Sequence, residues 1–162
     1  MELSESVQNL PVINEVKEAE TADAVFPTEK PTKVSDWKRF IRKNIPDFKG
    51  NINGAAKLMF AFQKGSEYIY NKFSPKFGAF KRPDIMIVLN ESKTGGAVAA
   101  SIPDDNKIFI GRSFLEENSV YKANSYSEIV KQDGTVAFKG KLSDFFGITG
   151  VEETHHQLFS QI

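Results

Sequence analysis

The chain has 162 residues, of which 40% are hydrophobic, and its 21 lysines and arginines balance its 21 aspartates and glutamates. A formal net charge of zero argues against a dedicated DNA- or RNA-binding protein, because such a protein needs a basic surplus to displace counterions from phosphates. The chain has no cysteine. Disulfides, thiolate nucleophiles and Cys-based zinc sites are therefore excluded, and any metal must be held by His, Asp or Glu.

Residues 1–33 differ in composition from the rest of the chain. They are rich in Glu, Thr, Pro and Lys and have few large apolar side chains after Ile13. Such a segment cannot bury enough apolar surface to offset the entropy of ordering the chain, so we expect a disordered acidic tail here and a single domain over residues 34–162. The N-terminus lacks the basic and apolar regions of a signal peptide, and no apolar run reaches the ~20 residues that span a bilayer. Together with the absence of cysteine, these features predict a cytoplasmic protein that makes no membrane contact.

Two helices are predicted at the start of the domain. Ser35 is a good N-cap, and Trp37 and Ile41 recur at the spacing of an amphipathic helix that Pro46 ends. A second helical period follows, with Gly65 as a weak point or break. Its apolar positions are Ala55, Leu58, Met59, Phe62, Tyr68, Ile69 and Phe73.

The pattern then changes to short apolar runs that predict strands. They are "DIMIVLN", "AVAASIP" and "KIFIGRSFL", and in the third Ile108 and Ile110 share one face while Phe109 lies on the other. The Asp-Gly pair of "KQDG" predicts a hairpin between two further strands. The sum is an α+β fold, with helices packed on one face of a small mixed or antiparallel sheet and a C-terminal helix after it.

The last helix is predicted to start near Thr149 and to carry both histidines of the chain, in the segment "GVEETHHQLF". One interpretation is structural, because Thr149 and Glu152 fit the capping box and His155 falls on the apolar stripe of the helix. The other interpretation is chemical. Glu152 and His156 are spaced i, i+4, and Glu153 and His156 are spaced i, i+3, so carboxylates and imidazoles could converge on one metal ion.

The order of strands followed by a late helix with Glu-x-x-His resembles the minimal zincin metallopeptidase domain, over roughly residues 84–162. In that family a mixed sheet precedes a helix with His-Glu-x-x-His, whose histidines bind zinc and whose glutamate activates the metal-bound water. The resemblance implies that Glu153 is the catalytic base and His156 a zinc ligand. It places Glu152 at the first histidine, and His155 could either bind the metal or orient another group.

This sequence departs from the family pattern in two ways. In an alternative register Glu152 is the base and His155 the ligand, but Val151, which cannot bind metal, then stands at the first histidine. Members of the family also take a third ligand from beyond the helix, and the sequence ends six residues after His156. The third ligand therefore comes from upstream or from beyond this sequence, or no catalytic zinc is bound. The upstream candidates are Asp104, Asp105, Glu116 and Glu117.

The sequence thus predicts a zincin-like, zinc-dependent hydrolase that acts on a protein or peptide substrate. Glu153 would be its catalytic base, and Glu152, His155 and His156 its metal ligands. The alternative is a non-catalytic protein-interaction domain in which the terminal helix is structural and the tail recruits partners by ordering on contact.

Overall fold

The computed structural model describes residues 24–77, 81–89, 99–102, 106–122, 125–130 and 133–159. Four helices and six strands in this part of the chain make the predicted α+β fold. In chain order they are β1 (Ala24–Val25), α1 (Val34–Asn44), α2 (Ile52–Phe77), β2 (Asp84–Val88), β3 (Ala99–Ile102), β4 (Lys107–Gly111), α3 (Arg112–Ser119), β5 (Tyr126–Val130), β6 (Val136–Lys141) and α4 (Leu142–Phe159). None of these described helices is both long and apolar enough to cross a bilayer.

The main sheet is mixed and has the strand order β1-β2-β4-β3. Strands β2 and β4 pair in parallel, whereas β1 and β3 pair antiparallel at the two edges. Ile108 and Ile110 join the main core with the helices, and Phe109 belongs to a second buried cluster on the opposite face of the sheet. The predicted alternation of side chains along this strand is therefore confirmed.

Helix α1 begins one residue before the predicted cap. Lys33 is the N-cap residue, so Ser35 lies inside the helix. The helix start is held instead by the Asp36 carboxylate, which accepts hydrogen bonds from the Thr32 backbone N–H at 2.9 Å and the Thr32 hydroxyl at 3.1 Å. Trp37 is fully buried on the predicted apolar face.

The described fold starts before the predicted domain boundary at residue 34. Strand β1 pairs with β2, and Ala24 lies opposite Val88. The carbonyl of Pro31 accepts a hydrogen bond from the Gln63 side chain at 2.7 Å, which anchors this segment to α2. Residues 24–33 therefore belong to the folded domain, and the prediction of a disordered tail for residues 1–23 lies outside the described residues.

Helix α2 continues through Gly65 without the predicted break. Its 26 residues give a length of about 39 Å. Asn51 caps the start, since its side-chain oxygen accepts a hydrogen bond from the Gly54 N–H at 2.8 Å. Gly65 stands where α4 crosses close to α2, so a packing requirement explains this glycine.

The segment after β3 divides differently from the prediction. The run "KIFIGRSFL" changes from strand to helix at Gly111, and α3 follows directly. The predicted hairpin is confirmed, with β5 and β6 antiparallel. Its turn contains Gly134 at a φ of 87°, a left-handed conformation that glycine adopts without strain.

Helix α4 begins at Leu142, seven residues before the predicted start near Thr149. The buried Leu142 donates its backbone N–H to the Ser125 carbonyl at 3.0 Å. Thr149 lies within the helix, and its hydroxyl donates to the Phe145 carbonyl at 2.9 Å. The predicted capping box of Thr149 and Glu152 is therefore wrong, because the helix continues through Gly147.

Candidate functional site

Two glycines bring α4 very close to α2. A Cβ atom placed on Gly150 would lie 2.0 Å from the Phe62 carbonyl oxygen, and one on Gly65 would lie 1.9 Å from the Gly147 carbonyl oxygen. The helices then continue side by side, as Thr154 donates its hydroxyl to the Ser66 hydroxyl at 2.6 Å. This contact turns one face of the predicted site segment into the protein interior.

Glu153 lies on the buried side of α4. Its side chain is 0% exposed, and neither carboxylate oxygen has a hydrogen-bond partner among the described residues. Burial, and to a smaller extent the neighbouring charge of Glu152, raises the pKa of Glu153 to about 8. The carboxyl group is therefore protonated at neutral pH, which is the form that an apolar interior tolerates.

The three predicted metal ligands lie on the solvent-exposed surface of the helix. Glu152, His155 and His156 are exposed, while Glu153 is buried. The His155 ring packs on Phe159, with 4.4 Å between ring centroids, and meets the His156 ring edge-on at 6.1 Å. The structure thus separates the predicted base from the predicted ligands.

Among the residues that the structure describes, no further metal ligand accompanies these side chains. No group of three or more His, Asp or Glu side chains within the described ranges could hold a metal ion. Glu116 accepts hydrogen bonds from Arg112 at 3.0 Å and from the Lys49 backbone at 2.7 Å. Its helix α3 contacts α2 at Gly54 through Ser119. Along the axis of α2, Gly54 lies about 18 Å from Ser66, the residue that Thr154 of α4 contacts.

The other upstream candidates divide between the described and undescribed parts of the chain. Glu117 lies on α3 beside Glu116, so it is similarly far from the level of Ser66. Asp104 and Asp105 lie outside the described residues. No group of three described donors is therefore available to zinc, and fewer ligands would hold it weakly.

Sequence reasoning missed the polar side chains that accompany Glu153 inside the protein. Gln157, one turn later, is fully buried, and its amide nitrogen lies 3.4 Å from the Asn106 side-chain oxygen. Ser101 on β3 is 1% exposed, and its hydroxyl has no described partner. It shares a strand face with Ala99 of the main core, and α4 packs on this strand. The i, i+4 spacing of Glu153 and Gln157, which places both side chains on one face of a helix, was the sequence feature that could have predicted this polar group.

A groove with apolar side chains in its lining lies on the outer side of α2 and α4. It encloses about 640 Å³ between the two helices and strand β6. Tyr68 and Ile148 stand at its rim with 61% and 45% of their surfaces exposed. Lys64 and Lys139 also line it. The remaining lining residues are Ala61, Gly65, Phe138, Gly140, Ser143, Asp144, Gly147 and Val151.

Comparison with known proteins gives no relative for this chain. No protein-family model, curated protein or solved structure matches it. The resemblance to zincins therefore rests on the order of elements and on the degenerate Glu-Glu-Thr-His-His segment alone.

Proposed function

We propose that this chain is a non-catalytic protein-interaction domain whose C-terminal helix holds the fold together. The observation that carries the proposal is the complete burial of Glu153, whereas its predicted partners on α4 are exposed. A substrate or a metal-bound water would have no access to this carboxyl group in the folded domain. The buried face of α4 instead supplies packing against α2 and the sheet.

The groove between α2, α4 and β6 is the surface that we propose for the interaction. Exposed large apolar side chains at a concave surface favour a protein partner, because their burial on binding is favourable. A helix that lays its apolar face into this groove would bury these side chains, as in other helix-in-groove complexes.

The charges at the rim select among possible partners. Lys64 lies on α2 and Lys139 on β6, so a cation stands on each side of the groove. Asp144 adds one negative charge, and Lys139 also contacts Glu128 at 3.5 Å. We therefore propose an amphipathic partner helix with an apolar stripe and acidic residues on both flanks.

A synthetic, fluorescently labelled helix of this design tests the proposal by anisotropy against the full chain. We expect saturable binding, at least tenfold weaker for Ile148→Asp because a charge would enter the apolar contact. Val120→Asp is the matched control, since Val120 is 65% exposed outside the groove, and it should bind like wild type.

A second peptide, in which lysines replace the acidic residues of the first, distinguishes recognition by charge from non-specific apolar binding. We expect it to bind more weakly than the acidic peptide, and Lys64→Glu should reduce that difference. Equal binding of both peptides, or equal losses in Ile148→Asp and Val120→Asp, would contradict the proposed groove.

The zincin-like hydrolase is a second candidate function, favoured by the raised pKa of Glu153. Carboxyl groups with displaced pKa values are common among acid–base catalysts. In this candidate His156, with Glu152 and His155, would hold zinc and a peptide would be the substrate. Metal analysis of the purified chain distinguishes the two functions: stoichiometric zinc that His156→Ala removes would favour the hydrolase, whereas zinc-free protein that is indifferent to chelator would favour the interaction domain.

A further inference from the structure

A second cavity, separate from the groove, lies between the segment 27–31, helix α2 and the start of β2. It encloses about 270 Å³. Pockets for drug-sized ligands typically enclose about 300–1,000 Å³, so this cavity suits a smaller molecule. All of its lining residues belong to the described part of the chain.

Buried polar side chains form the floor of this cavity. Trp37 is 0% exposed, and Gln63 and Ser66 are each 3% exposed. The Trp37 indole N–H donates to the Gln63 side-chain oxygen at 2.6 Å, and the Gln63 amide donates to the Pro31 carbonyl at 2.7 Å. These bonds fix the orientation of Gln63 before any ligand enters.

Four charged side chains surround the floor. Glu67 contacts Lys30 at 2.8 Å and Arg82 at 3.8 Å, in both cases through the same carboxylate oxygen. Burial opposes the ionisation of Glu67, but hydrogen bonds from Lys30 and Gln63 outweigh it and lower the pKa of Glu67 below its ordinary value. Two cations therefore meet one ionised carboxylate, while the exposed Asp84 adds a second carboxylate to the lining.

The two cations keep donors available for a ligand. Lys30 and Arg82 are 51% and 41% exposed. The Arg82 guanidinium stacks on the Tyr70 ring at 4.5 Å, which holds its plane in place. An ammonium has three donors and a guanidinium five, so their contacts with Glu67 leave N–H groups for a further anion.

We propose that this cavity binds a free α-amino acid as a zwitterion, its carboxylate at Lys30 and Arg82 and its ammonium at Asp84. The lining carries two positive and two negative side chains, so a ligand with one charge of each sign leaves the balance unchanged. Burying an isolated ligand charge would be costly, whereas each charge of a zwitterion meets an opposite partner.

The single tryptophan of the chain provides a specific reporter, because Trp37 lines the cavity. Leucine is titrated into the full chain while the indole N–H signal is followed by NMR. We expect a saturable shift with a dissociation constant of about 1 mM or tighter, corresponding to about 4 kcal/mol. Leucinamide and N-acetylleucine, which each lack one charge, should bind at least tenfold more weakly.

Two substitutions at the cavity and one outside it complete the test. Arg82→Gln and Asp84→Asn should each weaken leucine binding at least tenfold. Arg39→Gln is the control, since Arg39 pairs with Asp36 on α1 and does not line the cavity. Thermal melting shows that each variant is folded before binding is compared.

The proposal is overturned if leucine gives no saturable shift, if both singly charged analogues bind as well as leucine, or if Arg39→Gln weakens binding as much as Arg82→Gln. This outcome is independent of the peptide experiments on the groove, because the two sites share no lining residue.

Discussion

Glu153 is the residue whose environment departs most from its ordinary chemistry. Its carboxyl group is fully buried and has no hydrogen-bond partner among the described residues, so an ionised carboxylate would lose its hydration without compensation. Protonation removes most of that cost. The side chain that the sequence suggested as a base is therefore, in the folded domain, a neutral acid at pH 7.

We predict that this group makes the domain less stable as the pH rises. The pKa of Glu153 is about 8 in the folded chain against an ordinary value of 4.5. Below pH 4.5 Glu153 is protonated in both the folded and the unfolded chain, so it causes no loss of stability. Between pH 4.5 and 8 the unfolded chain releases a proton that the folded chain keeps. The free energy of unfolding then falls by about 1.4 kcal/mol for each pH unit in this range.

Urea unfolding at pH 5 and pH 8 measures this effect. Glu153→Gln, which is neutral at every pH, should lose less stability between the two pH values than wild type does. The exposed Glu29→Gln serves as the control and should retain the wild-type dependence, since Glu29 does not act on Glu153. If Glu153→Gln follows the same pH dependence as wild type, the carboxyl group is not held neutral in the fold.

At the scale of elements, the contact between α2 and α4 organises the domain. Glycine at positions 65 and 150 lets backbone approach backbone, and this approach places Thr154 against Ser66. Phe159 then meets Phe73, with 5.3 Å between ring centroids. The helix that carries the histidines is thus positioned by Gly150, which precedes them on α4, and by Gly65 of α2.

The two glycines of α4 provide a matched pair for testing this contact. Gly150→Ala places a methyl group 2.0 Å from the Phe62 carbonyl oxygen, so the helices must separate. We expect a loss of about 1–3 kcal/mol, the usual cost of overpacking. At Gly147 the nearest atom would be 3.5 Å away, and Gly147→Ala should be neutral or stabilising by up to about 1 kcal/mol through helix propensity. Chemical denaturation of both variants measures the difference, and a Gly147→Ala variant as unstable as Gly150→Ala would refute the close contact.

At the scale of the whole molecule, the protonation of Glu153 changes the net charge. The formal net charge of zero counts every carboxylate as ionised. A protonated Glu153 carries no negative charge, which raises the net charge of the folded chain by one at pH 7. The native protein should therefore be slightly cationic there.

Native electrophoresis at pH 7 checks this prediction. Glu153→Gln should migrate with wild type, because the substitution replaces a neutral acid by a neutral amide. Glu152→Gln should migrate more towards the cathode, because it removes an exposed carboxylate. A cathodic shift of Glu153→Gln equal to that of Glu152→Gln would mean that Glu153 is ionised in the native state.

Local sequence determined the parts of this fold that depend on neighbouring residues alone. The hairpin turn at Gly134 follows from the conformational freedom of glycine, and the opposite faces of Ile108 and Phe109 follow from the pleat of a strand. The amphipathic start of α1 follows from the spacing of Trp37 and Ile41. These features need no information about distant parts of the chain.

Tertiary structure decided where the helices end and which way the predicted site residues face. Gly65 was predicted as a weak point or break, yet it lies inside a helix because α4 packs against it. Helical spacing allows Glu153 and His156 to converge, but the orientation of α4 against α2 and the sheet buries the first and exposes the second. That orientation depends on contacts between residues far apart in the chain, such as Thr154 with Ser66, which are 88 positions apart, and no local pattern encodes it.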